Sequence, residues 1–443
     1  MGHHHIEIKQ EKFEFTSRSK MLSVVLLTLG IILSVIGIYQ LKANDAHSST
    51  VHATEASANT HADAHETVAA GHGEHSKPWT TRFWANMLVN SYYFLLFAVG
   101  ALFFVALNYV AKAGWAVLVK RIAEGISGFI PIGLILLFIT LYFGGTQLYH
   151  WMHYEHQGLK EGMEGYDKIL AGKSPFLNSK FLFLGVPLFI LIWYCFRIIL
   201  RRLSLREDAE GGTTFFRKST RFSAAFLVIF GFSFSTLVWL MIMSVDAHWY
   251  STIYTINNFA VMFVTSTTVI CFFTIYLKSK GYMELVSSEI LHDLGKFMFA
   301  FCVFWAYTWL AQYLLIWYAN IHEEVVYFDA RLHGYFRPIF FINLFMNFFI
   351  PFLILMMRNA KRNPKSLLVA GSIILIGHWF DVYLMIMPGV VGESSGLGLL
   401  ELGMPIAFAG IFIFVAQYCI SKANLYAINH PYIMESATYD VGP

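Results

Sequence analysis

Charge is scarce in this sequence. Asp, Glu, Lys and Arg together make up 13% of its 443 residues, while 57% are hydrophobic and the net charge is only +3. So little charge excludes a soluble domain of ordinary composition, and the small net charge gives no basic footprint for nucleic acid. Cysteine is scarcer still. Cys195, Cys271, Cys302 and Cys419 each lie in an apolar run, and no CxxC or CxxCH spacing occurs. That predicts no iron–sulfur cluster, no covalently attached c-type haem and no structural disulfide outside the membrane. Deep histidines are also few. Only His378 lies well inside a span, with His150 and His248 at span edges, so a pair of haem b ligands is not expected.

Long apolar runs fill the rest. Ten are long enough to cross a bilayer: Met21–Leu41, Phe83–Val110, Ile126–Tyr149, Asn178–Leu200, Phe222–Val245, Ile253–Leu277, Phe297–Tyr318, Phe336–Met357, Leu367–Met387 and Leu400–Ile420. The fold class is therefore an all-α polytopic membrane protein. Of the 31 Lys and Arg residues, 22 fall in the N-terminal segment, alternate loops and the tail, and nine fall in the opposite loops. The positive-inside bias predicts both termini in the cytoplasm. The first run reads as a retained helix, being long for the apolar core of a cleavable signal. His3-His4-His5 at the start resembles a tag fragment or a native stretch, and no function is assigned to it.

Residues 42–82 differ from everything around them. They are rich in Ala, Ser, Thr and Glu, include His47, His52, His61, His65, His72 and His75, and show no periodic apolar face. The expectation is a flexible periplasmic segment. Its histidines, with Glu55, Asp63 and Glu66, match no defined metal site. His150, His153 and His156, beside Glu155, are spaced for a zinc site that nothing else closes, so no metal site is assigned.

Two stretches repeat. Val238–Ser244 (VWLMIMS) matches Val382–Pro388 (VYLMIMP) at five of seven positions, and the Pro187 region resembles the Pro351 region one helix earlier. The offset places matching helices in the same direction. This predicts two parallel four-helix bundles, residues 83–245 and 246–388, with flanking helices at 21–41 and 389–443. Pro187 and Pro351 are expected to kink their helices and free a carbonyl each.

Four constellations carry chemistry. Asp381 lies about 10 Å of helix rise below the outer end of the ninth span, and His378 is one turn deeper on the same face. An aspartate at that depth must be paired or hydrated, which suits a proton relay or a bond between helices. Asp246 and His248 form a short outward turn with Trp249 and Tyr250, suited to proton exchange with water or to anchoring in the interface. The seventh span carries Tyr307, Trp309 and Gln312, either as interhelical glue or as the wall of a quinone or proton site. Asn343 and Asn347, four apart, read as interhelical bonds. The charged loop from His322 to Arg337 reads as a docking surface or a proton exit.

FWAYTWLAQYLLIWYANIHEE at 304–324, SVDAHWYSTIY at 244–254 and HWFDVYLMIMP at 378–388 together resemble the NrfD-like, polysulfide-reductase-type membrane subunits of alternative complex III. That complex is a bacterial quinol:electron-acceptor oxidoreductase. The resemblance covers about residues 80–425 and is greatest to the subunit designated F, less to C. It implies two four-helix bundles in the bacterial inner membrane, and partners comprising a second NrfD-like subunit, c-type cytochrome subunits, an iron–sulfur protein and an associated terminal oxidase. Haems and clusters would lie in those partners. Quinone or menaquinone is the implied ligand, facing Tyr307, Trp309 and Gln312, with Asp381, His378, Asp246 and His248 as the implied proton route. Where the family pattern reads Asn-Ile-Pro-Glu-Glu, this chain has His322 in place of proline. A structural scaffold for the complex and an ion-coupled transporter are the other two function classes that ten helices with buried polar groups allow.

Overall fold

The computed structural model describes residues 10–58, 78–159, 161–392 and 395–440, and for residues 44–58 the backbone alone. Among the described residues ten helices are long and apolar enough to cross a membrane. They are α1 (Ser17–Ala43), α2 (Trp79–Val110), α3 (Gly114–Leu148), α4 (Ser179–Glu210), α5 (Thr214–Met241), α6 (Ile253–Ser279), α7 (Ser288–Ala319), α8 (Phe336–Leu355), α9 (Pro364–Val390) and α10 (Leu399–Ile420). The helical backbone that begins as α1 continues to Ala58, into the segment expected to lack regular structure. That stretch is rich in alanine, the best helix former. His61, His65, His72 and His75 lie outside the described residues.

Several helices outrun their apolar cores. The third span begins with Gly114 rather than near Ile126, through a short 3-10 turn, a helix Val117–Ile126 and a second 3-10 turn at Ser127–Phe129. The extra turns carry Lys120, Arg121 and Glu124, which an apolar window rejects, yet all three are buried because they pair. α7 likewise starts at Ser288, with Glu289, His292 and Asp293 buried in its first turns.

The helices close into two rings. α2 packs on α3 and α5, and α4 completes that ring; α6 packs on α7 and α9, and α8 completes the second. α2 and α6 meet at the centre, where Gly100 lies against Ser266, whose hydroxyl donates to the carbonyls of Leu96 and Phe97 at 3.1 Å. α10 leans on α2 and α3, and α1 lies along α10. Gly30 faces Gly403 across that last seam, with Gly37 against Leu400 and Gly410 against Leu27. A methyl on Gly30 would sit 2.2 Å from the Ala407 nitrogen, so only glycine lets the backbones touch. Membrane helices commonly associate through such close small-residue approaches, because lipid offers no hydrophobic drive between them.

Both described terminal segments lie at one end of the bundle. The Leu425 N–H donates to the Glu11 carbonyl at 2.7 Å, and the Met283 N–H donates to the Glu11 carboxylate at 2.8 Å. This is called the terminal end below, and its opposite the far end.

Candidate functional site

α9 carries one proline, Pro388, in its far half, and the site is built around it. Pro388 has no N–H, so the Leu384 carbonyl one turn back loses its helical donor. The Arg331 Nε takes that place, donating to Leu384 O at 2.9 Å, while Nη2 reaches Met385 O at 3.2 Å and Asp246 at 2.9 Å. Arg331 comes from the short helix His322–Leu332 and is buried. Its guanidinium lies 3.4 Å from the centre of the Tyr327 ring, on which Trp249 also stacks at 3.9 Å. Burial pushes the Tyr327 phenol up to about 12, against the pull of the Arg331 charge.

Deeper on α9, Asp381 is 2% exposed. Trp305 Nε1 of α7 donates to its Oδ2 at 2.8 Å, and Asn343 Nδ2 of α8 donates to its Oδ1 at 2.9 Å. The Asn347 amide donates in turn to Asn343 Oδ1 at 2.5 Å. Asn347 sits in a π-turn, Phe345–Phe349, just ahead of Pro351. That wider turn swings Asn347 inward against α9, and Gly377 makes room for it, since a methyl there would lie 2.3 Å from Asn347 Oδ1. His378 is fully buried with Nδ1 3.8 Å from the Asp381 carboxylate, too far for a hydrogen bond. Neither of its ring nitrogens has a hydrogen-bond partner.

A small cavity joins these two layers. Asp381, Asn343, Asn257, Trp309, Gln312 and Arg331 contribute to its wall, and its volume is about 20 Å³. That is room for a water molecule, which needs roughly 10–15 Å³ and two to four polar partners. The Gln312 Nε2 is buried there without a partner. The cavity is far too small for a quinone ring.

Neither known families nor curated proteins supply a match: no family model fits the chain, and no curated sequence aligns with it.

The structure thus brings Asp381 and His378 to one place and sets Trp309 and Gln312 beside them. Asp246 joins through Arg331. His248 does not: it is exposed and points to Asp167 in the 150–177 loop, at 2.5 Å. Asp167 is held below the usual carboxylate range; its slight burial works the other way, but the His248 contact and the N–H groups of Leu170 and Ile169 outweigh it. Tyr307 lies 68% exposed on the outer face of α7, away from the cavity. His150 and His153 fall on a short helix, His150–Gln157, where His153 contacts Gln157.

Trp305, Asn343, Asn347 and Arg331 are the residues that sequence reasoning does not assign to the site. Signals existed for two of them. Trp305, Trp309 and Gln312 follow i, i+4, i+7 spacing and so share a face. Pro388 announces an orphaned carbonyl that some donor must meet.

A second polar cluster occupies the terminal end of the first ring. Glu124 receives Arg121 at 2.9 Å, Ser204 at 2.7 Å and Arg201, and Arg121 also pairs with Asp208. Lys120 donates to the Tyr109 hydroxyl at 2.9 Å and lies 3.6 Å from Glu207. Each charge there has an opposite within reach, as a buried ionic cluster requires.

Proposed function

We propose that this chain is the proton-handling membrane subunit of a respiratory quinol-oxidising assembly of the alternative complex III type, with Asp381 as the group that takes and passes the proton. The observation that carries the proposal is a single buried carboxylate, 2% exposed, at the base of a water-sized cavity that reaches a second carboxylate, Asp246, through Arg331. Buried ionisable groups within membrane spans are costly and mark proton and ion pathways. Oxidation of a quinol releases two electrons and two protons. In this reading electrons pass to cytochrome and iron–sulfur partners.

Each residue then has a task. Trp305 and Asn343 hold the Asp381 carboxylate in place with neutral donors, which lets it accept a proton without losing an ion-pair partner. Asn257 and Gln312 give a water in the cavity its hydrogen bonds. Arg331 pairs with Asp246 at 2.9 Å at the far end, where the route meets the outer surface. His378 is the inner neighbour, its Nδ1 3.8 Å from the Asp381 carboxylate. The quinone ring requires a wider site than this cavity, and Trp309 and Gln312 belong to the proton route. The orientation that goes with this assignment places both termini in the cytoplasm of a bacterium and the far end in the periplasm.

A scaffold role has one observation in its favour. Both Asp381 oxygens are already engaged by α7 and α8, the pattern of a bond that holds three helices together. Asp381→Asn separates the two. It keeps the size of the side chain and one of its two acceptor oxygens while removing the titrating group. Measured in membranes carrying the assembled complex, quinol oxidation or protons released per electron should fall. Unchanged turnover and stoichiometry would reduce Asp381 to a structural bond.

A further inference from the structure

A long apolar cleft runs down the outside of the bundle, separate from the Asp381 cavity. α10 forms one wall from Glu401 to Gln417, about 24 Å of helix rise, and α6 and α9 form the other, with aromatic rings of α2 as the floor. Its volume is about 830 Å³, within the roughly 300–1,000 Å³ of ligand-sized pockets. The two ends differ in charge. At the far end Glu401 is buried and neutralised by Arg82 at 2.6 Å. At the terminal end the mouth is framed by Leu22, Tyr276 and Ser279, with Gln417 just inside.

Basic groups flank that mouth. Arg18 stands one helical turn before Leu22 on the same face, and Lys280 follows Ser279 and lies over the Tyr276 ring at 5.9 Å. Neither has a salt-bridge partner among the described residues, and the acidic groups nearby in sequence are Glu14 and Glu284.

We infer that this cleft is a binding site for one anionic glycerophospholipid, an acyl chain lying in the aromatic channel and the phosphate held by Arg18 and Lys280. The hydrocarbon chain matches a cleft that is almost wholly apolar. The headgroup charge matches the end flanked by these two cations, whereas Arg82 at the other end is paired with Glu401.

The test uses the purified full-length chain or its complex in detergent, stripped of lipid and titrated with phosphatidylglycerol or phosphatidylcholine, with bound lipid counted by native mass spectrometry. About one phosphatidylglycerol per chain should be retained, with phosphatidylcholine at least 10-fold weaker. Replacing Arg18 and Lys280 by Gln should abolish that preference. Ala409→Trp, which fills the channel, should abolish retention of both lipids. Equal retention of the two lipids by the parent protein, or undiminished phosphatidylglycerol on Ala409→Trp, would overturn the site in favour of ordinary annular lipid. Should Ala409→Trp fail to fold, the charge variants decide the question, since their changes lie outside the hydrocarbon. A partner's membrane helix crosslinked to Cys at position 409 in the intact complex, with no lipid retained, would also overturn it.

Discussion

The two four-helix rings share a motif and diverge in what they do with it. In α5, VWLMIMS follows Leu237, with Phe234 one turn earlier; in α9, VYLMIMP follows Asp381, with His378 one turn earlier. The first ring fills those positions with carbon. Trp193 of α4 packs on Phe230 and Phe234 and gives its indole N–H to Ser233 at 2.8 Å. The second ring aims the indole N–H of Trp305 at a carboxylate instead. The ends of the motif diverge too. Ser244 caps the carbonyl of Leu240 on its own helix at 2.6 Å, whereas Pro388 leaves the matching carbonyl of Leu384 to Arg331. One motif therefore yields a helix that meets its own freed carbonyl and a helix that depends on a group brought from elsewhere. Buried charge in the first ring gathers at its terminal end, around Glu124; in the second ring Asp381 carries it into the span.

Converting α9 toward α5 is the sharpest way to break that contrast. Asp381→Leu removes the acceptor for both Trp305 and Asn343. Two buried donors are left unmet, at about 1–3 kcal/mol each, and turnover should fall about 100-fold or more if Asp381 relays protons. Melting of the purified protein and quinol oxidation in membranes measure the two effects. A variant as stable and as active as the parent would mean that the rings differ in sequence and not in function.

Arg331→Met comes next. It strands Asp246 and the Leu384 carbonyl together, and breaking a buried pair costs about 3–5 kcal/mol. Pro388→Ser, the residue α5 uses, restores a backbone N–H for the carbonyl and should recover about 1 kcal/mol of that loss in the double variant. Strict additivity of the two changes in thermal unfolding would show that Arg331 does not serve the carbonyl that Pro388 frees.

How much of this was legible depended on distance along the chain. The ten spans follow from apolar length, and the two rings from the repeated motif. Asp381 and His378 stand out because a carboxylate in an apolar run has to be explained, and their one-turn spacing puts them on one face. Arg331 was hidden, because a charged loop from His322 to Arg337 reads as solvated surface, and its burial depends on a proline in a later helix. Asn343 and Asn347 were legible as a pair on one face making bonds between helices; that the bond runs to Asp381 was not, since nothing local pairs the eighth span with the ninth. His248 read as Asp246's neighbour, yet the 3-10 turn Met243–Asp246 sends the two side chains to different partners.

A smaller effect separates the rings by pH. His430 in the C-terminal tail docks on the first ring among Tyr109, Phe216 and Tyr432. Burial pushes its imidazole down to about 2, helped by the charges of Lys120 and Arg121 and opposed by Glu124. An undocked tail takes up a proton near the ordinary histidine value of about 6.5; the docked tail does not. Docking is therefore complete above about pH 6.5 and weakens as pH falls below it. Protection of residues 425–440 from hydrogen exchange, taken relative to the intrinsic rate at each pH, should fall between about pH 6.5 and 5 in the parent and stay level in His430→Phe. The same exchange profile in both proteins would remove His430 from the cause.

The smallest change in stability is expected at the position where the rings differ least in shape. His378 is fully buried, and both ring nitrogens lack partners. Its imidazole meets the Trp305 ring edge-on at 5.5 Å, an aromatic contact that phenylalanine can also make. His378→Phe, which copies Phe234 of α5, deletes two unmet polar atoms and adds modest volume, so stability should move by less than about 1.5 kcal/mol in either direction. A histidine kept only for packing would then be expendable, with turnover and proton release unchanged. A histidine that exchanges protons with Asp381 would not be: protons released per electron should fall while the melting temperature holds. Reading both quantities on the same preparation distinguishes a polar group that the fold merely tolerates from one that the second ring uses.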